Sequence, residues 1–193
     1  MTELDGAQLL VDSLRRRMRT MHSLYYQAVG SMDLDQVNHF EREGVLPIAF
    51  SLFHYTNMED ASFMVLTGIA PIWDDSWQEK VAMHIANHGK EKSVSEMEHQ
   101  RIGDYGAFQE YQREVFDRTE SYLETVSIER LAELLIPRPF PEQIASTYSA
   151  RCAGPTGILV LDGFECWLYQ HGLRHMGEIE LARGLVGLGG MTS

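Results

Sequence analysis

The sequence predicts an all-α fold, a four-helix bundle with two irregular insertions, in a single domain spanning residues 1–193. Three observations carry this. Four long stretches repeat apolar residues at every third or fourth position, the period of a helix with one buried face. No stretch alternates apolar and polar residues for long enough to form a half-buried strand. The composition, 44% hydrophobic and 23% charged over 193 residues, is that of a globular chain large enough to bury a core.

The first helix is expected from Gln8 to Val29, with Leu10, Leu14, Met18, Met21, Tyr25 and Val29 on one face. Gly30 and the polar run from Asp33 to Glu43 end it. The second begins near Pro47, where a missing N–H costs nothing in the first turn. Its predicted stripe is Phe50, His54, Met58, Ala61 and Val65, and Gly68 is a natural stop. The third runs from Asp104 to Val126, with Phe108, Tyr111, Val115, Tyr122 and Val126 inward. The fourth starts after Gly154-Pro155-Thr156 and reaches Gly187, carrying Phe164, Trp167, His171, His175, Ile179, Ala182 and Val186. Residues 188–193 read as a frayed tail. The insertions are residues 69–103, with a helical pattern from Gln78 to His88, and 127–155, where a helix from Ile128 to Leu135 meets Pro137, Pro139 and Pro141. Links this long permit a non-sequential packing order.

Net charge is −12, from 28 acidic and 16 basic residues, which argues against nucleic acid, whose phosphates need clustered cations. The dense basic run Arg15-Arg16-Arg17 with Arg19 lies in the first helix pattern and reads as a solvated face. Cys152 and Cys166 make no disulfide framework and read as buried, inert thiols. No leader pattern is present, and no window approaches the roughly 18 apolar residues of a membrane span. A soluble cytoplasmic protein without a membrane partner is therefore expected. A homodimer is expected too, although no residue locates its interface.

The chain has eight histidines. His171 and His175, four apart, project from one helix face about a turn apart, a spacing that lets two imidazoles reach one metal ion at about 2 Å. Their stripe neighbours Trp167, Ile179 and Ala182 are apolar, so the pair points inward. Buried imidazoles need hydrogen-bond partners or a metal. Gly172 and Gly177 weaken this helix, and close approach of another helix is one reason to tolerate them. His54 lies in the middle of a second apolar stripe. His84 and His88 share the four-residue spacing but sit among Glu79, Lys80 and Lys90 and read as solvated. His22, His39 and His99 read as surface or boundary residues. From pattern alone, a metal site and a set of hydrogen-bonded core histidines are both open.

The run Tyr169-Gln170-His171-Gly172-Leu173-Arg174-His175-Met176-Gly177-Glu178-Ile179, followed by Leu181 to Gly187, resembles the last helix of the DinB/YfiT-like family. Pro47 to His54 resembles the start of its second helix. The resemblance implies a four-helix bundle in up-down-down-up order and assigns His54, His171 and His175 as ligands to a divalent transition metal such as zinc, nickel or iron. It also implies a transferase or isomerase that uses a low-molecular-weight thiol of the mycothiol or bacillithiol type on a small electrophilic substrate. A non-catalytic, metal-holding stress or interaction protein is the other reading the family allows. The insertion 69–103 departs from the family's compact members. A zinc protease is not expected, because Gly172 stands where its helical Glu is required. Glu178 reads as a surface carboxylate or as a partner of His175. Tyr55, Trp73, Trp77 and Arg101 are candidate pocket residues.

Overall fold

The structure, a computed structural model, describes residues 6–191. These residues are mostly helical. In chain order they form α1 (Gly6–Gly30), α2 (Leu34–Val37), α3 (Ile48–Thr67), α4 (Asp75–Val81), α5 (Val94–Met97), α6 (Tyr105–Thr125) and α7 (Ile128–Leu131). There follow β1 (Leu134–Pro137), α8 (Glu142–Ala145), α9 (Tyr148–Cys152), β2 (Gly157–Leu159), α10 (Val160–Gly163) and α11 (His171–Leu185). Seven π-helical residues, Phe164–Gln170, join α10 to α11, and the backbone stays right-handed helical through both joints. No described helix is long and apolar enough to cross a membrane.

Helix α1 packs beside α6 and α11, and α3 beside α6 and α11. The core between them is aromatic, with Tyr25, Phe53, Tyr55, Phe63, Phe108, Tyr111, Phe116 and Phe164 fully buried. The expected faces of α1 and α6 are largely those observed, except that Leu10 is exposed. The expected stripe of α3 is not its core face. Met58 and Ala61 are half-buried and Val65 is exposed, whereas Leu52, Phe53, Tyr55, Thr56, Glu59, Phe63 and Leu66 are buried. The reason is that α3 touches two helices and the 69–103 insertion, so nearly its whole circumference is buried, polar residues such as Thr56, Glu59 and Asp60 included, and its periodicity has little contrast. His54 therefore sits on the least covered side of α3.

The insertion 69–103 is what closes over that side. Buried Asp60 anchors its start, accepting from the backbone N–H of Ile72 at 2.9 Å and of Trp73 at 2.8 Å. The same carboxylate takes the Arg118 guanidinium at 2.6 Å and the Tyr111 hydroxyl at 3.1 Å. Helix α4 stops at Ala82, which is left-handed at φ 53°, so the helical pattern expected to run on to His88 ends early. The chain then returns over α3, held by Trp73 Nε1 donating to the Ala86 carbonyl and by Gln100 bridging the N–H and C=O of Ile85.

The second insertion corrects the expectation of a strand-free chain. Strands β1 and β2 pair antiparallel, with Leu134 opposite Leu159 and Pro137 opposite Gly157. Three or four residues are too few to show an alternation in sequence. Gly157 is required here: its φ is 144°, and a Cβ would stand 2.1 Å from the Ile136 carbonyl oxygen. The tail expected to fray is tied back as far as Met191. Arg183 donates to the Gly189 carbonyl, and the Met191 N–H donates to the Glu180 carboxylate. Residues 192 and 193 lie outside the described residues.

Candidate metal centre

His54 from α3 and His171 and His175 from α11 come together across the packed α3–α11 pair. What lets them pack is Gly172. A Cβ there would stand 2.3 Å from Met21 Sδ and 2.7 Å from Tyr55 Cζ, and the Gly172 carbonyl accepts the Tyr25 hydroxyl at 2.9 Å. Gly177 has nothing within 4 Å of a built Cβ, so close approach does not explain it. The two glycines should thus respond oppositely to alanine. Gly172→Ala is expected to lose about 1–3 kcal/mol through overpacking, and Gly177→Ala to gain up to about 1 kcal/mol of helix propensity. Urea unfolding of both variants checks this.

One ring nitrogen from each of the three histidines lies within 4.8 Å of the other two. His171 Nε2 and His175 Nε2 are 2.9 Å apart. Nδ1 of His54 and of His175 is already engaged. His54 Nδ1 donates to the His88 carbonyl. His175 Nδ1 donates to Glu178 Oε2 at 2.6 Å, and that carboxylate also takes the Ser51 hydroxyl at 3.1 Å. The His171 ring lies near the Trp167 carbonyl, inside the π-helical stretch. Acceptors on Nδ1 fix the tautomers of His54 and His175 and leave their Nε2 atoms to share one small volume with His171. Convergent lone pairs repel unless a cation or a proton sits among them.

The surroundings keep His54 and His171 neutral. Burial, followed by the neighbouring His175, lowers His171 to about 3. Burial lowers His54 to about 4 against the opposing pull of the His88 carbonyl. Phe50 stacks on His54 with ring centroids 5.2 Å apart, and Tyr55 stands 5.9 Å from His171. Such a set of three clustered imidazoles could hold a transition-metal ion and leave a coordination position open.

Other expectations fare unevenly. Glu178 is no idle surface carboxylate, since it orients His175, and that bond with Ser51 and Arg174 nearby keeps its carboxyl below the usual range. His84 is exposed, but His88 is half-buried and its carbonyl braces His54, so this pair is neither a helical face nor simply solvated. Of the pocket candidates only Tyr55 borders the cluster. Trp73 and Trp77 pack on Tyr111, and Arg101 binds the carbonyls of Glu98 and Gln100. Cys152 is exposed, contrary to expectation, while Cys166 is buried and its thiol is pushed up to about 12 by that burial and by Cys152 beside it. The arginines of α1 are mostly paired: Arg17 with Glu165, Arg19 with Glu120 and Glu124, and Arg15 with Asp12 and two α6 carbonyls.

The residue sequence reasoning misplaced most is His22. It is fully buried, stacked on Phe116 at 4.0 Å, with Nδ1 2.7 Å from Glu120 and Nε2 3.3 Å from buried Glu59. Burial alone would lower its pKa, but Glu59 and Glu120 outweigh it and raise it to about 9. Tyr55 joins this cluster by donating its hydroxyl to Glu59.

No family model and no curated protein matches the chain. Among solved structures, a conserved protein from Enterococcus faecalis is similar, with a TM-score of 0.70 at 14% identity over 96% of this chain and 99% of that one. At that identity the likeness speaks for the fold alone.

Proposed function

We propose that the chain is a divalent-metal protein of the DinB/YfiT-like kind, in which α1, α3, α6 and the 160–185 rod form a four-helix bundle in up-down-down-up order. In this reading His54, His171 and His175 bind zinc, nickel or iron, and the protein is a transferase or isomerase joining a low-molecular-weight thiol to a small electrophile. The observation that carries it is the convergence of one ring nitrogen from each histidine, with His54 and His175 each backed by its own acceptor, in the pattern by which proteins hold metal-bound histidines. The spacing of His171 and His175 supports it less, because His84 and His88 share that spacing and form no such site.

When bound, such an ion supplies a Lewis acid that lowers the pKa of a coordinated thiol or water toward neutrality. The chain's own residues do the positioning. Glu178 and the His88 carbonyl hold His175 and His54, and the Phe50 and Tyr55 rings wall the cluster.

The experiment is a thiol-conjugation assay. Untagged protein loaded with Zn²⁺ or Ni²⁺ is mixed with monochlorobimane and, separately, mycothiol, bacillithiol or glutathione. A metal-dependent rate above the uncatalysed one with at least one thiol is expected, abolished in His171→Ala. Metal uptake without any rate above background would replace the transferase reading with that of a non-catalytic metal protein.

A further inference from the structure

The three-histidine cluster has a cation at its edge. The Arg174 guanidinium lies with Nη2 3.5 Å from His175 Nε2, the nitrogen that faces the other two rings. Arg174 is exposed at its residue position and forms no ion pair among the described residues. Glu178, which feels the Arg174 charge, is committed to His175 on its opposite nitrogen and to Ser51. The ligand set of His54, His171 and His175 supplies no negative charge. A dication there would face a guanidinium a few ångströms away that no carboxylate pairs at contact distance, an arrangement that disfavours the ion unless an anion lies between them.

We propose that the site takes a small carboxylate as its exchangeable ligand, one oxygen completing the coordination of the ion and the other received by the Arg174 guanidinium. The planar fork of an arginine matches the two oxygens of a carboxylate, which neither a halide nor a neutral thiol reproduces. The partner molecule is thereby defined by chemistry: a small acid presented at the mouth between His175 and Arg174. Anion and ion should then bind cooperatively, each raising the affinity of the other by the same factor. This inference rests on the reading of the three histidines as metal ligands, and its test separates the two.

The probe is Co²⁺, whose visible absorption reports coordination number and ligand exchange. Wild type, Arg174→Gln, Arg174→Lys and His171→Ala are titrated with Co²⁺ and then with sodium acetate or sodium azide, with circular dichroism confirming that each is folded. In wild type acetate is expected to alter the Co²⁺ bands saturably and to tighten Co²⁺ binding. Arg174→Gln should bind Co²⁺ at least as tightly as wild type without acetate, yet bind acetate at least tenfold more weakly. Azide, which needs no fork, should lose less. Arg174→Lys, keeping charge but not the fork, should fall between. Equal acetate affinity in wild type and Arg174→Gln, or acetate without effect on Co²⁺-loaded wild type, overturns the carboxylate inference and leaves the metal reading standing. Absence of Co²⁺ binding by wild type, or equal binding by His171→Ala, overturns the metal reading and this inference with it.

Discussion

Replacing His22 by leucine is expected to cost the fold about 3–5 kcal/mol, the penalty of leaving a buried carboxylate without its partner. His22 and Glu59 are both fully buried, and Glu59 Oε1 has no hydrogen-bond partner among the described residues. Its Oε2 takes both the Tyr55 hydroxyl and the His22 ring. Removing the ring strips the carboxylate of its cation while Tyr55 remains. The paired variant His22→Leu with Glu59→Leu should recover most of the loss, because a buried ion pair replaced whole by apolar residues is often neutral. Urea unfolding at pH 7 distinguishes this from simple packing damage, for which the double variant would be worse than either single one.

The same cluster sets an alkaline limit on stability. With His22 raised to about 9 from 6.5, its contribution is complete below pH 6.5, declines as pH rises between 6.5 and 9, and is gone above. Its size is about 3 kcal/mol by linkage. His54 and His171 act in the opposite direction. Lowered to about 4 and 3, they stay neutral in the fold while the unfolded chain takes up protons, so stability is lost as pH falls from 6.5 toward 4 and 3. Unfolding midpoints of metal-free protein should therefore decline on both sides of pH 6.5, and His22→Leu should flatten only the alkaline side.

The second large effect concerns affinity for the ion. Glu178→Gln leaves every ligand nitrogen in place but weakens the acceptor behind His175. A loss of about 10- to 100-fold in Zn²⁺ affinity is the usual consequence of removing such support. His171→Ala removes a ligand outright and should lose more than Glu178→Gln does. Because His54 and His171 are neutral well below pH 6, they release no proton when an ion binds. Their share of the affinity should hold from pH 7.5 to 5.5, where imidazoles of ordinary pKa would already be losing theirs to protonation. Competition titrations against a chromophoric chelator at several pH values measure both effects, and a Glu178→Gln affinity equal to wild type would remove Glu178 from the site.

How far these features can be read from sequence depends on whether their causes are local. The four long helices were legible because capping and apolar period are local: Asp104 caps α6, Gly68 ends α3, and the Leu14-Met18-Met21-Tyr25 face of α1 is buried as expected. Helices of four or five residues, the β1–β2 pair and the π-helical stretch before His171 leave too short a pattern to detect. His171 and His175 were legible from their spacing, and His54 from the stripe anomaly, although that stripe proved to be the open side of α3. His22 was not legible, because its partners lie 37 and 98 residues away along the chain. The signal that was present is a pair of helical offsets: His22 stands four residues after Met18 and Glu59 four after Tyr55, both buried positions. Nor could sequence show that the 69–103 insertion returns to lay the His88 carbonyl on His54.

The central claim is that His54, His171 and His175 hold one divalent metal ion. Elemental analysis of protein purified without a polyhistidine tag, alongside His54→Ala and His171→Ala, tests it most directly. The account predicts close to one equivalent of zinc, nickel or iron in the native protein and a loss of most of it in both variants, each still folded by circular dichroism. Unchanged metal content in both variants, or no transition metal retained by the native protein after incubation with any of these ions, would contradict it.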